Sequence, residues 1–189
     1  MKLFVVDNHD SFTFNLVQLI EQFGVKDYLI RDNQHLDLNE ISLADKILIS
    51  PGPGLPSEAG DLKEVISRFY LSKSILGICL GHQAIAEVFG AKLQVFDKPF
   101  HGYTTKVKLI SPHDNLFSGL PAIFNAGLYH SWYVEEKSLP KCLSVTCISE
   151  EGIVMGISHL KYNVKGLQFH PESIMTPLGE DIIRNWLSE

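Results

Sequence analysis

Ser74-Ile75-Leu76-Gly77-Ile78-Cys79-Leu80-Gly81-His82-Gln83 is an apolar run that breaks at a glycine-flanked cysteine. It continues as Ala84-Ile85-Ala86-Glu87-Val88-Phe89-Gly90, with helical spacing and a glycine stop. A strand, a sharp turn bearing one side chain and a helix make up a nucleophile elbow. Gly77 and Gly81 let the backbone pass close to itself there. The helix that begins after Cys79 offers partial positive charge and free N–H groups, which favour a thiolate. The plainer reading is a small core hydrophobe, as most free cysteines are. The two glycines and the neighbouring His82 and Gln83 favour the nucleophile.

Moving outward from the elbow, the first half alternates short strands and helices. Strands are predicted over 3–7, 28–31, 46–50 and 75–78. Helices are predicted over 11–23, where Phe12, Leu16, Leu19, Ile20 and Phe23 share a face and Gly24 closes it, and over 62–71. This alternation predicts an α/β fold with a mostly parallel sheet flanked by helices. The second half is richer in strand signals, over 92–96, 104–110, 144–148, 154–158 and 164–169. Some of these are expected as antiparallel additions at one sheet edge. A helix over 180–187 closes the chain. There is no repeat, linker or low-complexity tract, so one domain over 1–189 is expected.

A cysteine nucleophile needs a base, and the base needs an orienter. Among eight histidines, His170 stands out in Gln168-Phe169-His170-Pro171-Glu172-Ser173, at the end of an apolar strand-like run. Strand ends are where α/β proteins place their chemistry. Glu172 can bond the far ring nitrogen and fix its orientation, as the carboxylate of a triad does. A third piece is Ser50-Pro51-Gly52-Pro53-Gly54, a stiff loop that leaves glycine N–H groups uncovered. The Gly52 and Leu80 N–H groups are candidate donors to an oxyanion. Taken alone, the loop reads as an ordinary turn. No G-x-x-x-x-G-K-[ST] or G-x-G-x-x-G phosphate motif occurs.

Composition narrows the classes. A net charge of −6 argues against nucleic acid as a partner. The 45% hydrophobic content supports a real core, yet no run approaches membrane-span length. The opening Met1-Lys2-Leu3-Phe4-Val5-Val6-Asp7 is too short for a signal peptide and reads as a first strand. Three cysteines have no zinc spacing, and Cys142 and Cys147 read as packing thiols. A reducing cytoplasm fits these features. No H-x-x-x-H or H-E-x-x-H pair is present, so no metal is expected in this chain. His82 is expected to cap or pack at the elbow helix and His130 to lie near the site. His9, His35, His113 and His159 are expected to be solvated, and Asp10 to cap the first helix.

Together, P-G-P-G at 51–54, G-I-C-L-G-H-Q at 77–83 and Q-F-H-P-E-S at 168–173 resemble the class I, triad-type glutamine amidotransferases, which have a flavodoxin-like fold. More narrowly, the chain is similar to the glutaminase subunits of anthranilate synthase and aminodeoxychorismate synthase. That match rests on Asp7-Asn8-His9-Asp10-Ser11-Phe12-Thr13, His101-Gly102, Tyr129-His130-Ser131-Trp132, Ser173-Ile174-Met175-Thr176 and Gly179. It spans essentially the whole chain in order.

The resemblance implies a triad of Cys79, His170 and Glu172 acting on L-glutamine. It implies that glutamine is gripped around Gly52, Pro53, Gly54, Gln83, Ser131 and Trp132. It also implies a larger chorismate-using synthase subunit that receives the ammonia. No cofactor is expected in this chain, and magnesium is expected on that partner. His101-Gly102 and Asp10-Ser11 are candidate partner contacts. The chain departs from the family at Leu128, where many relatives carry arginine, and at Trp132, where leucine is common. Two readings compete: a silent regulatory subunit, disfavoured by the intact triad, and a stand-alone cysteine hydrolase. The tryptophan and folate branches are not separable from these residues.

Overall fold

The structure is a computed structural model that describes residues 1–96, 102–111 and 113–189. In chain order its elements are β1 (Leu3–Asp7), α1 (Thr13–Gln22), β2 (Tyr28–Asp32), α2 (Leu38–Ser42), β3 (Lys46–Ile49), α3 (Leu62–Phe69), β4 (Ser74–Ile78), α4 (Leu80–Val88), β5 (Leu93–Val95), β6 (Tyr103–Leu109), β7 (Ile123–Leu128), β8 (Trp132–Val134), β9 (Leu143–Ser149), β10 (Val154–His159), β11 (Val164–Leu167) and α5 (Gly179–Ser188).

Among the described residues, nine strands form one sheet in the order β2-β1-β3-β4-β11-β10-β9-β6-β7. The pairs from β2 to β11 are parallel. From β11 outward every pair is antiparallel. The parallel half therefore ends where the antiparallel addition begins, as the strand-rich second half of the sequence predicts. A separate antiparallel pair, β5 with β8, stands apart from this sheet.

The parallel strands are covered on both faces, so they read as unbroken apolar runs rather than as alternation. Leu3 and Val5 of β1 pack in one core with Leu16, Leu19 and Ile20 of α1 and Ile182, Ile183 and Trp186 of α5. Phe4 and Val6, one residue out of phase, pack on the other face with Leu62, Val65 and Ile66 of α3 and with Ala84 and Ile85 of α4. The period-two alternation of a strand thus feeds two cores at once.

The elbow depends on two missing side chains. A Cβ on Gly77 would lie 2.4 Å from the Gly81 carbonyl carbon, and one on Gly81 would lie 2.8 Å from Ile49 Cγ2. Only glycine lets α4 sit this close to β4 and β3.

Three elements fall outside the sequence reading: α2, β7 and β8. The five residues of α2 are too few for a helical period to show. In β7, Ile123 and Asn125 are exposed while Phe124, Ala126, Gly127 and Leu128 are buried, so the alternation fades along the strand. Asp10 corrects another expectation. Phe12, not Asp10, is the residue preceding α1. The Asp10 carboxylate instead accepts the Phe12 N–H at 2.8 Å, a turn before the helix. His159 is also not simply solvated. Its ring packs 4.9 Å from Phe89 and 4.8 Å from Tyr162, and Nδ1 accepts the N–H groups of Lys161 and Tyr162.

Candidate active site

Cys79 joins β4 to α4 with φ 51° and ψ −98°, a conformation that non-glycine residues avoid. Its N–H donates to the Leu167 carbonyl at 2.7 Å and its carbonyl accepts the Gln83 N–H at 3.1 Å. Both neighbours of the turn are thereby pinned, and the surrounding sheet and helix hold the strained residue in place. Cys79 is 5% exposed and lines a cavity of about 260 Å³ with Gly52, Pro53, Gly54, Gln83, Tyr129, His130, Ser131 and Trp132. Every residue that the resemblance assigns to glutamine binding faces this one space.

His170 lies three residues beyond the end of β11. Backbone contacts fix it: its N–H donates to the Gly127 carbonyl at 3.1 Å, and its carbonyl accepts the Thr176 hydroxyl at 2.6 Å. Nδ1 meets Glu172 Oε1 at 2.6 Å, with both side chains buried. An ionised carboxylate only accepts, so this contact places a proton on Nδ1 and turns Nε2 away from it. Phe12 and Tyr129 flank the imidazole edge-on, at 5.2 and 4.9 Å between ring centroids.

Burial disfavours a charge on His170. The hydrogen bond to Glu172 and the negative charge of the neighbouring Glu172 and Cys79 outweigh burial and push its pKa up to about 10. The arrangement therefore favours an imidazolium at His170.

The P-G-P-G loop is held from beneath by a buried amide–hydroxyl network. Asn8 Nδ2 donates to the Ser50 carbonyl at 2.8 Å, the Asn8 N–H donates to Ser50 Oγ at 2.9 Å, and Asn33 Nδ2 donates to Asn8 Oδ1 at 3.0 Å. A Cβ on Gly52 would lie 2.5 Å from Asn8 Cβ and 2.6 Å from Leu80 Cδ2. The loop backbone is thus pressed against the side chain of the residue that starts α4; Gly52 lines the cavity, while Leu80 is buried behind it.

Gln83 is built in more tightly than its motif suggests. Its side-chain NH2 donates to the Trp132 carbonyl at 2.8 Å and to Gln168 Oε1 at 3.1 Å, which commits both of its N–H bonds and leaves its carbonyl oxygen to offer to a ligand. His130 Nδ1 also meets the Trp132 carbonyl, at 2.7 Å. Since a carbonyl can only accept, Nδ1 carries the proton there. Burial lowers the His130 pKa to about 4. His82 is fully buried against Gly166, and burial lowers its pKa to about 3. It packs under the elbow, away from the cavity.

Cys147 is fully buried and burial pushes its thiol up, while Cys142 is half-buried. Neither lines the cavity. Among the described residues, no group of three or more His, Cys, Asp or Glu side chains is placed to hold a metal ion, and no helix is long and apolar enough to cross a membrane. Leu128 is buried in the core, so the departure from arginine there fills packing space. His101 lies outside the described residues. Asp10 and Ser11 sit at the surface end of the turn before α1.

The supporting residues Asn8, Asn33, Ser50 and Gln168 are not singled out by the sequence. Three of the four stand beside or inside recognisable motifs, and that position is the only signal they give.

A sequence profile of the family described as Glutamine amidotransferase class-I matches residues 4–189. A candidate anthranilate synthase component II of Haemophilus influenzae is 45% identical over 190 residues, covering 100% of this chain and 96% of that protein. The aminodeoxychorismate synthase component 2 of Klebsiella aerogenes is 43% identical, covering 98% of this chain and 99% of that protein. Among solved structures, a candidate GMP synthase subunit from Thermoplasma acidophilum superposes with a TM-score of 0.88 at 30% identity, covering 100% of this chain and 92% of that one. With its motifs, topology and profile in agreement over nearly its full length, the chain belongs to the class I glutamine amidotransferase family.

Proposed function

We propose that the chain is the glutaminase subunit of an anthranilate synthase, hydrolysing glutamine to glutamate and passing the ammonia to a chorismate-using synthase subunit. The observation that carries this reading is the strained Cys79 at the start of α4, opening onto a cavity beside the buried His170–Glu172 pair.

In this reading the Cys79 thiolate attacks the side-chain amide carbon of glutamine. Backbone N–H groups at Gly52 and Leu80 receive the oxyanion, aided by the N-terminal end of α4. The His170 imidazolium gives its Nε2 proton to the departing nitrogen, which leaves as ammonia. Once the sulfur is a neutral thioester, the negative charge that held the proton on His170 is gone. The neutral ring then takes a proton from water, which attacks the thioester and releases glutamate. Glu172 keeps Nδ1 protonated and the ring aimed throughout.

Similarity at 45% to a candidate anthranilate synthase component and at 43% to an aminodeoxychorismate synthase component supports a synthase partner and keeps the folate-branch enzyme as a second reading. Gly52–Gly54 and Ser131–Trp132 line the cavity beside Cys79, which supports their part in holding the amino acid.

Glutaminase activity of the purified chain, alone and then with chorismate and a chorismate-using synthase partner, tests the proposal. Strong stimulation with formation of anthranilate supports it; aminodeoxychorismate as product moves the chain to the folate branch. Full activity alone, unmoved by either partner, identifies an independent hydrolase.

A further inference from the structure

Behind the nucleophile lies a second polar group that the triad does not use. Gln168 is fully buried, two residues before His170. Its Nε2 donates to Cys79 Sγ at 3.6 Å, and its Oε1 accepts from Gln83 Nε2 at 3.1 Å. Gln83 in turn donates to the Trp132 main-chain carbonyl at 2.8 Å.

The polarity of this chain is forced. A side-chain amide can face either way, because its oxygen and nitrogen differ little in shape. The Trp132 carbonyl has no hydrogen, so it must receive, and the NH2 end of Gln83 must face it. The other N–H of the same Gln83 nitrogen then points at Gln168, whose oxygen must receive it. That leaves the Gln168 NH2 on the sulfur side. A backbone carbonyl two amides away thus decides that Cys79 meets a donor and not an acceptor.

We propose that Gln168 is a further catalytic residue that stabilises the Cys79 thiolate by donating a hydrogen bond to it, and that Gln83 is a positioning residue that aims Gln168 through a relay starting at the Trp132 carbonyl. The inference rests on the reading of Cys79 as nucleophile. A donor to ionised sulfur is worth more than one to a neutral thiol, so the relay favours the thiolate. It also has a property that His170 lacks: an amide holds its protons at every working pH. The donor therefore persists when His170 has given its proton to the leaving amine and when the thiolate is expelled from the acyl intermediate. Because the first member of the relay is a main-chain carbonyl in the cavity wall, the position of the 131–132 segment and the ionisation of Cys79 are coupled.

The test is the pH dependence of iodoacetamide alkylation of the full chain from pH 5 to 10, with peptide mapping of the label. Gln168→Met keeps the length of the side chain and removes the donor. Its alkylation midpoint for Cys79 moves up by about one pH unit, which is a roughly tenfold slower reaction at any pH below the midpoint. Gln168→Glu, close in shape with a carboxylate against the sulfur, moves it further in the same direction. Gln83→Met moves it in that direction by less, since Gln168 survives but is free to turn. A role confined to packing would lower stability without moving the midpoint. Label on Cys79 with an unmoved midpoint in folded Gln168→Met or Gln168→Glu overturns the relay and leaves the nucleophile standing. Label that avoids Cys79 in the unaltered chain overturns the nucleophile, and the relay with it.

Discussion

At the scale of single residues, the buried imidazoles of His82, His130 and His170 respond to pH in opposite senses. His82 and His130 are held neutral, with pKa values lowered to about 3 and about 4 by burial. Between those values and about 6.5, the unfolded chain binds protons that the folded chain does not, so stability falls as pH falls through this window. Each group contributes a slope of up to about 1.4 kcal/mol per pH unit. His170 has the opposite sign. Its pKa is raised to about 10, so the folded chain holds a proton that the unfolded chain releases. That contribution is complete below about pH 6.5 and is lost as pH rises towards about 10. Urea denaturation from pH 4 to 9 is therefore expected to give a maximum near neutrality with a steep acid side. His82→Leu is expected to flatten the acid side and leave the alkaline side unchanged. A variant with the unaltered acid slope would show that His82 is not the group that titrates.

At the scale of elements, the β4–Cys79–α4 unit concentrates the strain. α4 rests on β4 and β3 only because Gly77 and Gly81 have no side chains. Gly77→Ala would put a Cβ within 2.4 Å of the Gly81 backbone, where nothing flexible can give way. The expected cost is about 1–3 kcal/mol of stability, read as a lower urea midpoint, together with loss of glutaminase activity as the elbow shifts. Unchanged stability and activity would mean that the helix position is not set by this contact.

This unit was legible in the sequence because every part of it is local: a run of apolar residues, two glycines and a helical period within one short stretch of chain. The parallel strands were legible for the same reason. The short α2 and the strands β7 and β8 were not, since their pairing partners, and not their own patterns, define them. The network beneath the site was less legible still. Asn8 meets Asn33 across 25 residues and Gln168 meets Cys79 across 89. A lone Asn or Gln carries no periodicity that would announce such a contact. His170 and Glu172 were visible as a pair because they are close in sequence, and their 2.6 Å contact is local. The Asp10 expectation failed because an Asx turn and a helix cap look the same in sequence and differ by only two residues in position.

At the scale of the whole molecule, the sheet separates the labour. Its parallel half, with helices on both faces, provides the rigid floor from which Cys79 rises, at the carboxyl ends of the strands. The antiparallel half brings Gly127 to His170 and carries the segment to Trp132 that walls the cavity. The proposed division between a glutamine-hydrolysing chain and a chorismate-using partner makes a clean prediction. Cys79→Ser is expected to abolish glutamine-dependent synthesis in the complex while ammonia-dependent synthesis by the partner survives, both followed by product formation. Loss of both would contradict that division.

The central claim, that Cys79 is the nucleophile for glutamine, is tested most directly by an electrophilic glutamine analogue such as a chloroketone. The account predicts loss of glutaminase activity in step with one label per chain, mapped to Cys79, with glutamine protecting and with Cys142 and Cys147 unlabelled. Inactivation with the label on Cys142 or Cys147, or full labelling of Cys79 with activity retained, would contradict it.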